Sequence, residues 1–218
     1  LIDSSAKWLI LYGLPAVQVI FARYCGAFLV LILLFIPRGG LNQFVSNNPK
    51  LQFSRAIALL GGTTFNFLAL QFLPITTTIA IFFAMPLVIT VLGYFILGEK
   101  VGFRRFAAVF VGFLGVLIII QPWGQDFHWA MILSVAALFC ASSYFVLTRL
   151  LAGQDNNSTS QLWSSGVATF AIAPFALQSW HWPQTNMGFC VLVIIGVFGA
   201  FSHILATRAH LLANASTL

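Results

Sequence analysis

The sequence predicts an all-α fold, a polytopic bundle of transmembrane helices, and three observations predict it. Long apolar stretches follow one another down the 218 residues. Charge is confined almost wholly to the gaps between them. The composition is 60% hydrophobic against 6% charged, with a mean hydropathy of +0.98. A water-soluble domain of this size needs far more polar surface to cover its core. A helix crossing the hydrocarbon core takes roughly 20 apolar residues, and within lipid only helices and closed barrels satisfy their own backbone. The stretches are apolar all round and do not alternate, which argues against a barrel. Several exceed an ordinary core helix in length and carry no face for water, which argues against a large soluble protein.

Taken in order, residues 1–12 read as the end of an earlier helix. Seven full spans follow at about 14–36, 56–73, 75–97, 105–121, 129–150, 161–178 and 188–207. Residues 213–218 read as the first turn of another, so the chain is expected to be a truncated bundle at both ends. Turn-rich breaks separate the spans: Pro37-Arg38-Gly39-Gly40, Gly124-Gln125-Asp126, Gly153 to Asn157, and Trp182-Pro183-Gln184. Leu73-Pro74 is so short a break that its flanking helices must form a tight hairpin. Pro86 removes a backbone donor and should bend its helix. Ala22 with Gly26, Ala108 with Gly112, and Gly196 with Ala200 are small pairs at helical spacing, suited to close helix packing. Cys25, Cys140 and Cys190 sit inside apolar runs, and their spacing suggests neither a disulfide framework nor a metal site.

Alternating spans sort the loops into two groups. Segments 37–55, 98–105, 149–158 and 208–212 hold Arg38, Lys50, Arg55, Lys100, Arg104, Arg105, Arg149 and Arg208. That is eight of the ten Lys and Arg residues. The other group, near 74, 121–128 and 179–187, has Asp126 and no Lys or Arg. The asymmetry predicts a cytoplasmic first group, and Trp123, Trp129, Trp180 and Trp182 fall at the opposite interface, where indole rings suit the headgroups. Basic residues spread over loops, with no basic face, are not a nucleic-acid footprint.

Residues 61–80 can be laid over 199–218: each reads as a Gly-led helix, a tight turn and a Ser/Thr-rich helix start. An odd number of spans separates the copies, so the second must enter the membrane upside down, and inverted repeats about a midplane cavity are a transporter architecture. Leu73-Pro74-Ile75-Thr76-Thr77-Thr78, Met85-Pro86-Leu87, Leu97-Gly98-Glu99, Arg104-Arg105 and Gly112 to Val116 resemble the EamA-like family of the drug/metabolite transporter superfamily. The resemblance implies two inverted five-helix repeats, here incomplete: 1–122, with its first helix partial, and 127–218, without its last two helices. The run Arg105 to Pro122 is similar to the branch containing S-adenosylmethionine and riboflavin carriers.

Ions within a bilayer are costly, by roughly 2.5–3.5 kcal/mol on insertion scales, so each asks for a reason. Asp3 and Lys7 are four apart on one helix and able to pair. Arg23 lies about two turns into the next span. With Asn66, Gln71 and His203 these form the expected substrate-binding set: cations for an anionic group, amides for hydrogen bonding, and His203 as a proton relay. Against this, Lys7 and Arg23 can snorkel, and Asn66, Gln71 and His203 can simply bridge helices. Thr63, Thr64, Ser142, Ser143, Tyr144 and Trp163 are weaker cavity candidates, and Glu99 reads as a local ion pair with its basic neighbours.

No phosphate loop, zinc-ligand pair or nucleophile elbow is present. The expected function is therefore a secondary transporter without cofactor or metal, moving a small polar metabolite across a bacterial inner membrane by alternating access. Its partners would be that substrate, the lipid bilayer and, as one option, a second copy of the chain. The competing readings are a membrane-embedded enzyme acting on lipid headgroups, which four scattered acids ill suit, and a fragment that does not transport.

Overall fold

The computed structural model describes residues 1–98, 102–121 and 127–212. Glu99, Lys100, Trp123, Asp126 and the helix start expected at 213–218 lie outside them. The elements are α1 (Ile2–Leu11), α2 (Ala16–Gly39), a short 3-10 turn (Leu41–Phe44), α3 (Pro49–Phe72), α4 (Ile75–Phe82), α5 (Met85–Leu97), α6 (Phe103–Ile120), α7 (Ala130–Leu150), α8 (Asn157–Gln178) and α9 (Asn186–Leu212). No strand occurs among the described residues. The protein is an all-α bundle.

Its radial distribution is inverted relative to a soluble domain. Leu33, Phe83, Phe95, Phe170 and Val193 stand fully outward, while Gln18, Gln52, Arg55, Ser134 and Ser142 are completely buried. Water would punish that outer surface; lipid does not, and polar groups collect where other helices can bond them. Five segments are long and apolar enough to cross a membrane: Ala16–Pro37, Pro49–Phe72, Ile75–Leu97, Ala130–Leu150 and Asn186–Leu205. At 22 residues α8 is as long as these. Its composition is more polar because Thr159, Ser160, Gln161, Ser164 and Ser165 on its first turns are buried in the bundle.

Two helices differ instructively from the hydropathy reading. α3 begins at Pro49, not near 56, because Asn48 caps it, its side chain accepting from the Leu51 amide with Pro49 in the first turn. The extra turns carry Gln52 and Arg55 into the interior, so Arg55 is no loop cation. The span expected at 75–97 is two helices, α4 and α5, broken at Phe83-Ala84. Pro86 sits in the first turn of α5, where it has no amide to donate and its ring clashes with a continuing helix.

Packing brings α2 against both α8 and α9, α3 against both α7 and α8, and α5 against α7. The α2–α9 contact is backbone on backbone: a Cβ added at Gly196 would meet the Gly26 Cα at 2.7 Å. This is the close approach those small residues predict. The loops close over each end. At one end Asp155 accepts from the Ser46 hydroxyl, from the Asn47 amide at 2.8 Å and from Gln52 Nε2 at 2.9 Å, joining the α2–α3 connection to the α7–α8 connection. At the other, buried Gln18 exchanges two bonds with the His181 backbone, at 2.6 and 2.9 Å, and Lys7 donates to the carbonyls of Leu70 and Leu73 where α3 ends.

Candidate functional site

Two buried guanidiniums organise the interior. Arg23 projects from α2 and donates to the Thr63 hydroxyl at 2.8 Å and to His203 Nε2 at 2.9 Å. A guanidinium has only donors, so Nε2 must be the acceptor and His203 is neutral while this bond exists. Tyr24 OH donates to the Leu59 carbonyl at 3.0 Å and lies 2.7 Å from Thr63 Oγ1. With its one proton committed, the phenol accepts from Thr63. The polarity then runs one way: Arg23 to Thr63 to Tyr24 to the α3 backbone.

Arg55, from α3, is held by four partners. Its Nε donates to Thr148 Oγ1 at 2.7 Å, Nη1 to the Ser160 carbonyl at 2.8 Å and to Ser164 Oγ at 2.6 Å, and Nη2 to Tyr144 OH at 2.9 Å. Thr148 and Ser164 spend their own protons on the carbonyls four residues back, which turns their lone pairs to the arginine. Tyr144 also faces the His203 ring, centroid to centroid 6.0 Å, so the two arginine clusters meet there.

Between α2, α3, α8 and α9 lies a crevice of about 10 Å³, room for roughly one water. Arg23, Tyr24, Gln161, Ser164, Ser165 and His203 line it beside Leu31, Leu59 and Ala200, and the wall it exposes is mostly apolar because the polar atoms are turned to one another. Gln161 adds a bond to the His203 carbonyl at 3.1 Å.

Of the expected set, Arg23 and His203 meet in this crevice. Asn66 sits farther along α3 and donates to Asp3 Oδ1 at 3.0 Å, so Asp3 bonds an amide rather than Lys7. Lys7 is occupied at the end of α3 by two carbonyls. Gln71 is exposed and stands apart from the crevice: five residues from Asn66, it lies about 140° around the helix. Among the weaker candidates Thr63 and Tyr144 are in the network. Ser142 and Ser143 bond back to their own helix, and Trp163 donates to the Phe44 carbonyl.

Arg55, Gln52, Tyr24 and Gln161 were not expected here. A signal for two of them exists on α3, where 52, 55, 59, 63 and 66 repeat at three and four residues, the period of one helical face. Hydropathy hides it, since a window over 49–55 is polar enough to read as loop.

The fold is an all-helical membrane bundle, apolar outside and with buried polar side chains gathered inside. Residues 5–121 match the EamA-like transporter family, and the chain belongs to that family. It is 30% identical over 226 residues to a riboflavin transporter of Vibrio cholerae, which covers 99% of this chain and 73% of that protein. A riboflavin transporter of Rhizobium johnstonii is 27% identical over 217 residues, covering 99% and 72%. An S-adenosylmethionine uptake transporter of Rickettsia prowazekii is 25% identical over 203 residues, covering 93% and 68%. The protein is thus a multi-pass membrane protein of a family of small-metabolite transporters.

Proposed function

We propose that the chain is a secondary carrier that takes a small polar metabolite through the central crevice by alternating access, across a bacterial inner membrane. The observation carrying this reading is the convergence of Arg23 and Tyr24 from α2, Gln161 from α8 and His203 from α9 on one interior space, with Thr63 of α3 bonded to Arg23 behind it. Polar groups gathered midway through a membrane bundle mark a path for polar cargo. Both ends are tied by side-chain bonds, through Asp155 at one and Gln18 at the other. A carrier must break such ties in turn, and cargo drives that only by binding the two states unequally.

The helix pairing supports two inverted repeats, 1–122 and 127–218. Exchanging α2 with α8 and α3 with α9 turns the α2–α9 contact into α8–α3, and both contacts exist; α3–α7 likewise becomes α9–α1. The end bearing the Asp155 tie is the one rich in Lys and Arg, and the positive-inside rule puts it in the cytoplasm.

The cargo class follows the relatives: an amino-acid- or nucleoside-like metabolite, with riboflavin and S-adenosylmethionine the first two to try. Purified protein in proteoliposomes should show saturable uptake of one of them. Absence of flux for both, and for a wider panel of nucleosides and amino acids, with the helical fold retained, would sink the carrier reading.

A further inference from the structure

We propose that the central crevice is a carboxylate site, with Arg23 as the group that contacts the anion; this rests on the carrier reading above and names the chemistry of its cargo, selecting the carboxylate-bearing S-adenosylmethionine over riboflavin, which has no carboxylate. The two arginines are both buried, and none of the hydrogen-bond partners of either is a carboxylate. Among the described residues, then, neither positive charge is bonded to a carboxylate, and the low dielectric of the interior makes each charge interaction stronger than in water. Arg55 spends its donors on four protein acceptors. Arg23 does not: Thr63 and His203 engage its two terminal nitrogens, while its Nε is buried with no partner.

A buried donor without an acceptor costs free energy of order 1–3 kcal/mol, so an orphan on a charged group that lines a crevice asks for an occupant. The occupant must be an acceptor, negative, and small at the end that enters. A planar carboxylate meets these demands: it is negative, and it pairs side-on with the Nε edge of a guanidinium, which is closed off from the crevice in this state and is reached as the crevice widens. Arg55 contributes at longer range: it donates to Ser164 Oγ, and Ser164 is part of the crevice wall. Its charge adds to the attraction without touching the anion. The bulk of a cargo then occupies space that opens as the end ties part, its acidic group remaining on Arg23.

Sodium acetate and acetamide, the same shape with and without charge, test this on the purified protein in detergent by thermal unfolding. Acetate should raise the unfolding midpoint saturably, and acetamide should bind at least roughly ten-fold more weakly, the equivalent of one charge-assisted hydrogen bond. Arg23→Gln should lose the acetate response, Arg23→Lys should keep a weakened one, and Gln71→Ala should keep it whole. The midpoint without ligand reports whether each variant is folded. Equal responses to acetate and acetamide would overturn the proposal, as would an acetate response that survives in Arg23→Gln. A chloride response matching acetate would also overturn it, since the site would then hold a free inorganic anion. Flux without acetate selectivity removes this proposal and leaves the carrier; acetate selectivity without any flux removes the carrier reading instead.

Discussion

Arg23 and Arg55 are the same residue type, both buried within one membrane bundle, and they differ in how their donors are spent. Each guanidinium lies over a tyrosine ring, Arg55 over Tyr144 at 4.6 Å and Arg23 over Tyr24 at 4.7 Å, but only Arg55 has every nitrogen engaged, by α7 and α8 together. Arg23 has two bonds, one of them to a histidine ring, and a buried nitrogen with no partner. A fully bonded buried cation is a fastener. On the proposal above, a partly bonded one beside a cavity is a site kept open. Burial alone does not separate these roles; the count of satisfied donors does.

The largest expected effect tests the fastener. Arg55→Ala leaves a cavity and deprives four acceptors of a charged donor, and the fold should lose roughly 3–5 kcal/mol, partly offset by relief of a buried charge. Thermal unfolding in detergent would read this, and transport would fall with the fold. Arg55→Lys should recover only part, because an ammonium has three donors and no planar fork. A midpoint unchanged in Arg55→Ala would remove the distinction between the two arginines.

Next comes a change that should disturb one cluster and spare the other. Gly196→Ala places a methyl 2.7 Å from the Gly26 Cα, so α9 must move off α2 at a cost of about 1–3 kcal/mol. That shift lengthens the Arg23–His203 bond, whose partners lie on these two helices. Arg55 and its acceptors lie on α3, α7 and α8 and should be unaffected. Loss of flux with a modest fall in midpoint is expected. A variant with wild-type flux would mean that the α2–α9 spacing does not set the site.

Arg23→Gln should change stability by less than about 1 kcal/mol, since two lost bonds are set against relief of a buried, half-satisfied charge. Its effect should instead appear in transport, a fall of roughly ten-fold or more in kcat/KM. If the midpoint collapses as it does in Arg55→Ala, Arg23 is a second fastener.

The sequence made Arg23 visible and left Arg55 obscure, for a physical reason. A lone charge inside an otherwise apolar run, as at 14–36, stands out against lipid. A charge at the start of a span is diluted by polar neighbours, and Lys50, Gln52 and Ser54 made the whole segment read as loop. The corrective signal was local: Asn48-Pro49 is a helix start, and placing it there puts Gln52 and Arg55 on the same face as Asn66. The spans themselves were legible because lipid demands length and apolarity together. Gln71 shows the limit of that reading, since composition marks a residue as polar but only helical phase tells which way it turns. The polar start of α8 shows the converse, a helix that looks less membranous because the Ser164 hydroxyl serves Arg55 and the Ser160 hydroxyl serves Gln52.

The smallest effect concerns the tie above the Arg55 cluster. Burial raises the Asp155 carboxyl, but hydrogen bonds from Ser46, Asn47 and Gln52 outweigh it and hold the group below its ordinary value. A depressed folded value means that the tie contributes stability above the unfolded carboxylate range, and that this is lost as pH falls through the folded value. Asp155 lies near the surface, so the contribution is under about 1 kcal/mol after screening. Gln52 bonds both Asp155 and Ser160, whose carbonyl accepts from Arg55, so loosening the tie should reach Arg55 and not Arg23. In Asp155→Asn the midpoint should drop slightly at neutral pH and lose its acid dependence below about pH 4, while the acetate response at Arg23 stays intact. A variant that instead abolished the acetate response would show the two clusters to be one unit, and the contrast between the arginines would have to be redrawn.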